Sequence, residues 1–298
     1  CEKTRPPDSA LPDAPFFLFL NYMDPHYPYS APPPFDKIDG EGIPYNMLLR
    51  QRPFQDFISR YINTGEGLTD QLVIEMCNQY DGEIAYADHY VGKLVEYLKR
   101  KGLYDDMLLI VTSDHGEFLG EHQLLNHGVG LYEGGMRIPI LVKYPAQAHA
   151  GEVIKHRVSI VDIFATVFDV LTLPMPECSG VPLGREERAI YAEDFENGMN
   201  VKRYGERFKG DRTAVYQVDW KYILSELHAD ELYDLGKDPG ENANLVEGSK
   251  DVAGELEGDI SKWQASKTPF DGTSETSGTV SQEEIDKLKA LGYLGGGN

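Results

Sequence analysis

The run Met107-Leu108-Leu109-Ile110-Val111-Thr112, closed by Asp105-Asp106 before it and Ser113-Asp114 after it, constrains this chain more than any other stretch. A continuous apolar run of strand length, without polar alternation, predicts a strand buried on both faces, as in a parallel sheet covered by helices. Ile138–Val142 repeats the pattern after a Gly-rich loop. Phe16–Leu20 reads as another buried strand, ending at the loop Asp24-Pro25-His26-Tyr27-Pro28 because proline cannot continue a ladder. Ile84, Ala87, Val91, Leu94, Val95 and Leu98 fall at three- and four-residue steps, and Lys99-Arg100-Lys101-Gly102 supplies a cationic last turn and a glycine stop. That spacing predicts an amphipathic helix. Weaker helical patterns cover Phe54–Ile62 and Leu68–Asn78, and Ser159 is a candidate cap for a helix reaching about Leu171. Strands alternating with helices imply an α/β layered domain.

After Pro174 the pattern changes to short strand candidates, Ala189–Ala192, Ala214–Val218 and Tyr222–Leu227, ending in Glu231-Leu232-Tyr233-Asp234. These predict a small antiparallel appendage. From about Lys250 the chain is rich in Glu, Gly, Ser and Thr, with one short helical pattern near Gln282–Leu291, and reads as a surface tail. The expected division is therefore residues 1–175, 176–250 and 251–298. A length of 298 residues suits a large domain with a smaller companion. With 28 Lys+Arg against 49 Asp+Glu the formal charge is -21, and such a field repels nucleic-acid backbones and anionic membrane surfaces in the absence of a basic patch. The longest apolar runs are far short of a bilayer span. Cys1, Cys77 and Cys178 have no metal-knot spacing and do not read as a disulfide framework. The opening Cys1-Glu2-Lys3-Thr4-Arg5 lacks the basic and apolar regions of an export signal, and reads as the middle of a longer protein.

Ligands in open α/β sheets bind at the carboxyl ends of the strands. Here that end carries Ser113-Asp114-His115-Gly116-Glu117, where a carboxylate and an imidazole side by side on a turn can face one cation. The Pro-bounded loop holds His26, and Glu121 through Gly130 adds His122 and His127. Four of the eight histidines thus fall in three loops expected at one end of one sheet. A cation with imidazoles around an anion-sized gap suits hydrolysis of an anionic ester, by Lewis-acid polarisation with general acid catalysis from a histidine.

The string Ser113-Asp114-His115-Gly116-Glu117-Phe118-Leu119-Gly120-Glu121-His122, followed by Tyr132-Glu133-Gly134-Gly135-Met136-Arg137-Ile138-Pro139, closely resembles the sulfatases of the alkaline phosphatase superfamily. Phe16 through Tyr29 resembles that family's His-bearing strand and loop. Glu231-Leu232-Tyr233-Asp234-Leu235, Lys237-Asp238-Pro239-Gly240-Glu241 and the closing Leu288 through Leu294 resemble its C-terminal signatures.

The resemblance implies an alkaline-phosphatase-like α/β sandwich with a mostly parallel sheet, here partial, and a small C-terminal antiparallel subdomain. Asp114 and His115 become ligands of a divalent cation, calcium first, with manganese or zinc as alternatives because of the imidazole. His26 becomes a substrate-contacting proton donor and His127 a contact to the sulfate oxygens, both counted as catalytic. His122 joins them as a substrate-binding candidate. Arg137 is expected in an internal ion pair, and Tyr132 and Glu133 in loop support.

The family's Cys-x-Pro-x-Arg or Ser-x-Pro-x-Arg segment, whose Cys or Ser becomes the formylglycine nucleophile, is not found in this sequence, since Lys3 replaces the proline after Cys1. The expectation is a fragment of a hydrolase that is not active alone, with formylglycine in a preceding segment. The substrate implied is a sulfated small molecule or glycan, and the implied location is periplasmic or secreted. A phosphodiester or phosphonate monoester hydrolase, and a non-catalytic sulfatase-like binding module, are the alternatives.

Overall fold

The computed structural model describes residues 15–36 and 52–267. The expected helix at Gln282–Leu291, the closing Leu288–Leu294 signature and Cys1 lie outside them. Arg52–Thr64 forms α1 and Asp70–Arg100 forms α2. The weak signal at Leu68–Asn78 and the strong one at Ile84–Leu98 are therefore one 31-residue helix. The Thr69 side chain caps its start by accepting from the Leu72 amide, Asp70 sits in the first turn and Lys99 and Arg100 in the last. Gly102, at φ +68°, takes the left-handed turn beyond the end.

Leu109–Thr112 forms β1, Phe118–Leu119 forms β2, Leu125–Asn126 forms β3, the single turn Glu133–Met136 is α3 and Ile140–Lys143 forms β4. The two apolar runs pair, but antiparallel rather than parallel, with Leu109 opposite Lys143 and Thr112 opposite Ile140. A parallel return needs a crossover, usually a helix packed on the sheet. Here residues 113–139 place Phe118, Leu124, Leu125 and Val129 in a separate cluster with α1 and α2, and form the β2–β3 hairpin instead. β1 is half-buried at Leu109 and Ile110 and exposed at Val111 and Thr112, not buried on both faces. Phe16–Leu20 is not in a ladder with any described residue, and its side chains are exposed. The sequence pattern supplies the apolar surface of a strand, whereas burial requires a partner along its edge and a layer on its face.

Asp162–Val170 forms α4; its N-cap is Val161 with no side-chain cap bond, so Ser159 does not cap it by its hydroxyl as expected, and instead the Ser159 amide donates to Asp162 Oδ2 at 2.9 Å. Ile190–Asp194 is β5, Gly198–Tyr204 is α5, and Arg212–Gln217, Trp220–Ser225 and Glu231–Asp234 are β6, β7 and β8. Strands β5 to β8 make one antiparallel sheet in sequence order. Alternation along its strands serves two faces: Val215, Tyr222 and Leu232 point to one, Ala214, Ile223 and Tyr233 to the other. The first face is covered by Lys250–Ser266, α6, through Ala253, Leu256 and Ile260. That segment, expected as the start of a surface tail, is core packing. The second face is covered by Leu131, Tyr132 and Met136 from the loop ahead of β4. The described residues up to Ile260 form one compact unit.

Candidate active site

Asp114 and His115 stand on the turn leaving β1. The His115 amide donates to Asp114 Oδ1 at 3.1 Å, and Ser113 Oγ donates to the His115 carbonyl at 2.7 Å. The turn closes against α3 through Gly116, whose amide donates to the Gly135 carbonyl at 2.8 Å. A Cβ at Gly116 would collide with the Gly134 carbonyl oxygen, and Cβ atoms at Gly134 and Gly135 would run into the Phe118 ring. These three glycines let two backbones and one ring meet under the site.

His115, His127 and His26 form a chain of ring contacts. The His115 and His127 rings stack at 4.1 Å between centroids, and His127 and His26 lie at 5.0 Å with a tilt of 57°. In each ring Nδ1 faces an acceptor: the Gly116 carbonyl at 2.8 Å from His115, the Tyr27 carbonyl at 2.7 Å from His26, and Glu117 Oε2 at 3.1 Å from His127. Carbonyl and carboxylate oxygens only accept, so Nδ1 carries the hydrogen and Nε2 is the uncommitted nitrogen in all three.

His115 Nε2 lies 3.8 Å from Asp114 Oδ1, a separation that two oxygen- and nitrogen-donor ligands of one cation share. Asp114 is exposed, and the pair therefore fits as part of a cation site. Among the described residues no group of three or more His, Cys, Asp or Glu side chains is arranged to hold a metal ion. A cleft of about 1190 Å³ opens beside the pair, with Arg137, Lys155, Arg157 and Arg185 along its walls. Arg137, expected in an internal ion pair, is instead exposed on this cleft with no carboxylate in ion-pair distance among the described residues. Glu133, on the same loop, pairs with Lys221 at 3.3 Å.

His122 stands apart from the three-ring chain. Its ring lies flat on Tyr132, 3.8 Å between centroids and 2° from coplanar, and its Nε2 is 3.8 Å from Glu241 Oε2. This second network is buried and ionic. Lys221, fully buried in β7, meets Glu241 Oε1 at 2.5 Å, and Glu241 Oε2 accepts from the Glu133 amide at 2.7 Å. Tyr132 donates to both oxygens of Glu231 at 3.0 and 3.1 Å, and burial beside that carboxylate pushes its hydroxyl pKa well up. Tyr132 and Glu133 thus support the loop by joining it to the C-terminal sheet.

The sequence reading missed four buried charged groups: Glu83, Glu117, Lys221 and Glu241. Glu117 adjoins the recognised Asp-His pair, and its side chain is 2% exposed with Oε1 unpartnered. Glu83 carried no local signal, being one more acid on a helix.

A family model described as Sulfatase matches residues 8–173, and one described as N-sulphoglucosamine sulphohydrolase, C-terminal, matches residues 120–266. An arylsulfatase of Clostridium perfringens is 26% identical over 245 residues, covering 79% of this chain and 50% of that protein. The multifunctional alkaline phosphatase superfamily protein PehA of Trinickia caryophylli is 31% identical over 266 residues, covering 78% and 52%. Among solved structures, the phosphonate monoester hydrolase of Agrobacterium radiobacter matches with a TM-score of 0.68 and 25% identity, over 85% of this chain and 57% of that one. The chain spans about half the length of these curated relatives. The Asp-His turn, the histidine loops and the C-terminal sheet with its covering helix all fall within the matched residues: this chain belongs to the sulfatase family of the alkaline phosphatase superfamily.

Proposed function

We propose that the protein of which these residues are part hydrolyses sulfate esters of small molecules or glycans, with a divalent cation held by Asp114 and His115 and a proton donated by His26. The observation that carries this reading is the contact chain of three imidazoles, each tied at Nδ1 and open at Nε2, ending on an exposed carboxylate. Calcium is the proposed ion, with manganese or zinc as alternatives, and when bound it supplies Lewis-acid polarisation of the ester's non-bridging oxygens. The chain's own residues do the rest. His127, held at Nδ1 by buried Glu117, donates from Nε2 to an anionic oxygen of the ester, a contact made by the doubly protonated ring. His26, with Nδ1 bonded to the Tyr27 carbonyl, donates from Nε2 to the departing alcohol oxygen, which requires the ring in its doubly protonated form. On the cleft wall Arg137, which has no carboxylate in ion-pair distance among the described residues, offers a cation to an anionic ester among acids that include Glu152, Asp169 and Asp219. A formylglycine nucleophile, for which this sequence contains no Cys-x-Pro-x-Arg or Ser-x-Pro-x-Arg segment, is part of the same proposal.

A second reading, hydrolysis of phosphonate monoesters or phosphodiesters, is favoured by the imidazole donor at His115 and by the likeness to the Agrobacterium enzyme. The test is turnover of 4-nitrophenyl sulfate against 4-nitrophenyl phenylphosphonate by the full-length protein, with and without chelator. Faster sulfate hydrolysis that calcium restores after chelation is the expected result. Preference for the phosphonate selects the second reading, and turnover of neither ester refutes both.

A further inference from the structure

The loop that carries His26 rests on α2, and two adjacent residues of that helix make the contact. Gly82 removes the side chain that would otherwise strike the Phe35 carbonyl oxygen, so the end of the loop lies directly on the helix backbone. Glu83, 2% exposed, turns its carboxylate to the start of the loop: Oε1 accepts from the Ser30 amide at 2.5 Å, and the His26 amide is within reach of the same carboxylate. Edge-on ring contacts of Tyr29 with Tyr80 at 5.4 Å and Phe35 with Tyr86 at 5.5 Å complete the seam. The other charged or titratable groups facing Glu83 are Asp24 on the loop, Glu117 on the turn after β1 and Tyr80 on its own helix. Its Oε2 has no partner.

A buried, half-satisfied carboxylate is a costly way to fill a helix position, and an apolar residue would pack there without that cost. What only an acceptor achieves is to fix the Ser30 amide, which closes the segment His26-Tyr27-Pro28-Tyr29-Ser30 onto the helix. We infer that Glu83 is a positioning residue for His26, anchoring the backbone of its loop so that the imidazole is held against His127 at the site. The inference rests on the proposed role of His26 as proton donor.

The test is leaving-group dependence in the full-length protein, using phenyl and 4-nitrophenyl sulfates. A misplaced acid matters more when the departing alkoxide is more basic. Glu83→Leu is expected to lower kcat on the phenyl ester about tenfold more than on the 4-nitrophenyl ester, with KM changed less than about twofold. His26→Ala is expected to give the same signature. Glu83→Gln, which keeps the acceptor for Ser30, is expected to restore the ratio. Equal losses on both esters for Glu83→Leu, with the split present in His26→Ala, overturn the role of Glu83 and leave that of His26 standing. No split in His26→Ala removes the acid role, and the inference falls with it. Should Glu83→Leu not fold, amide exchange in the unaltered protein decides. Exchange at Ser30 slowed about a hundredfold or more relative to an exposed amide supports the anchor, and exchange at the exposed rate overturns it.

Discussion

Glu83 also makes a statement about stability at the scale of one residue. Burial, and then the nearby charges of Asp24 and Glu117, push its carboxyl up from 4.5 to about 7, against the pull of the Ser30 and His26 amides. Between those values the folded chain binds a proton that the unfolded chain has lost, so stability is full below 4.5 and falls as pH rises through 7. The loss attributable to this group is on the order of 3 kcal/mol. Glu83→Gln is isosteric with the protonated form and is expected to be progressively more stable than the parent as pH rises across that window in urea titrations. A difference that stays constant with pH contradicts this. Lys221 makes the opposite case. Removing its ammonium by Lys221→Ala strands the carboxylates of Glu133 and Glu241 in the interior, and the expected cost is about 3–5 kcal/mol in unfolding free energy. An unchanged urea midpoint would exclude a buried ion pair there.

Elements show which signals survive in sequence and which do not. The apolar steps of Ile84 to Leu98, the cationic last turn and the glycine at 102 are local, and the helix they predict is present and longer. Helix α6 was hidden because its apolar positions, Ala253, Leu256 and Ile260, are sparse among Glu, Asp, Gly and Lys. Only the sheet beneath makes those three a core stripe. Leu256→Ala and Ile260→Ala are each expected to lower unfolding stability by about 2–5 kcal/mol, measured by denaturant titration. Losses below about 0.5 kcal/mol, typical of surface positions, would return the segment to a tail. The strands divide in the same way. Apolar runs mark β1 and β4 as strands, but direction depends on the path between them, and residues 113–139 put their apolar side chains under the site instead of building a crossover helix.

The whole chain carries an apolar surface that its strand pattern does not explain away. Phe17 and Phe19 are 85% and 76% exposed, in a segment outside any helix or strand of the described residues. Clustered exposed aromatics invite association. Residues 1–298 expressed alone are expected to bind a hydrophobic dye, and Phe17→Lys with Phe19→Lys to abolish most of that signal without moving Tm. Equal dye binding in the variant would place the exposed surface elsewhere. The sequence by itself determined the family, the α/β layering, the C-terminal antiparallel sheet and the residues of the histidine loops, because motifs, caps and periodicity are written in neighbouring residues. Only the tertiary structure decided that His26, His115 and His127 touch while His122 turns to Tyr132, that β1 and β4 run antiparallel, and that Glu83, Glu117, Lys221 and Glu241 are interior charges. Burial and the company of a distant side chain are properties of the packed chain, and a charged residue reads the same in sequence whether it meets water or its partner.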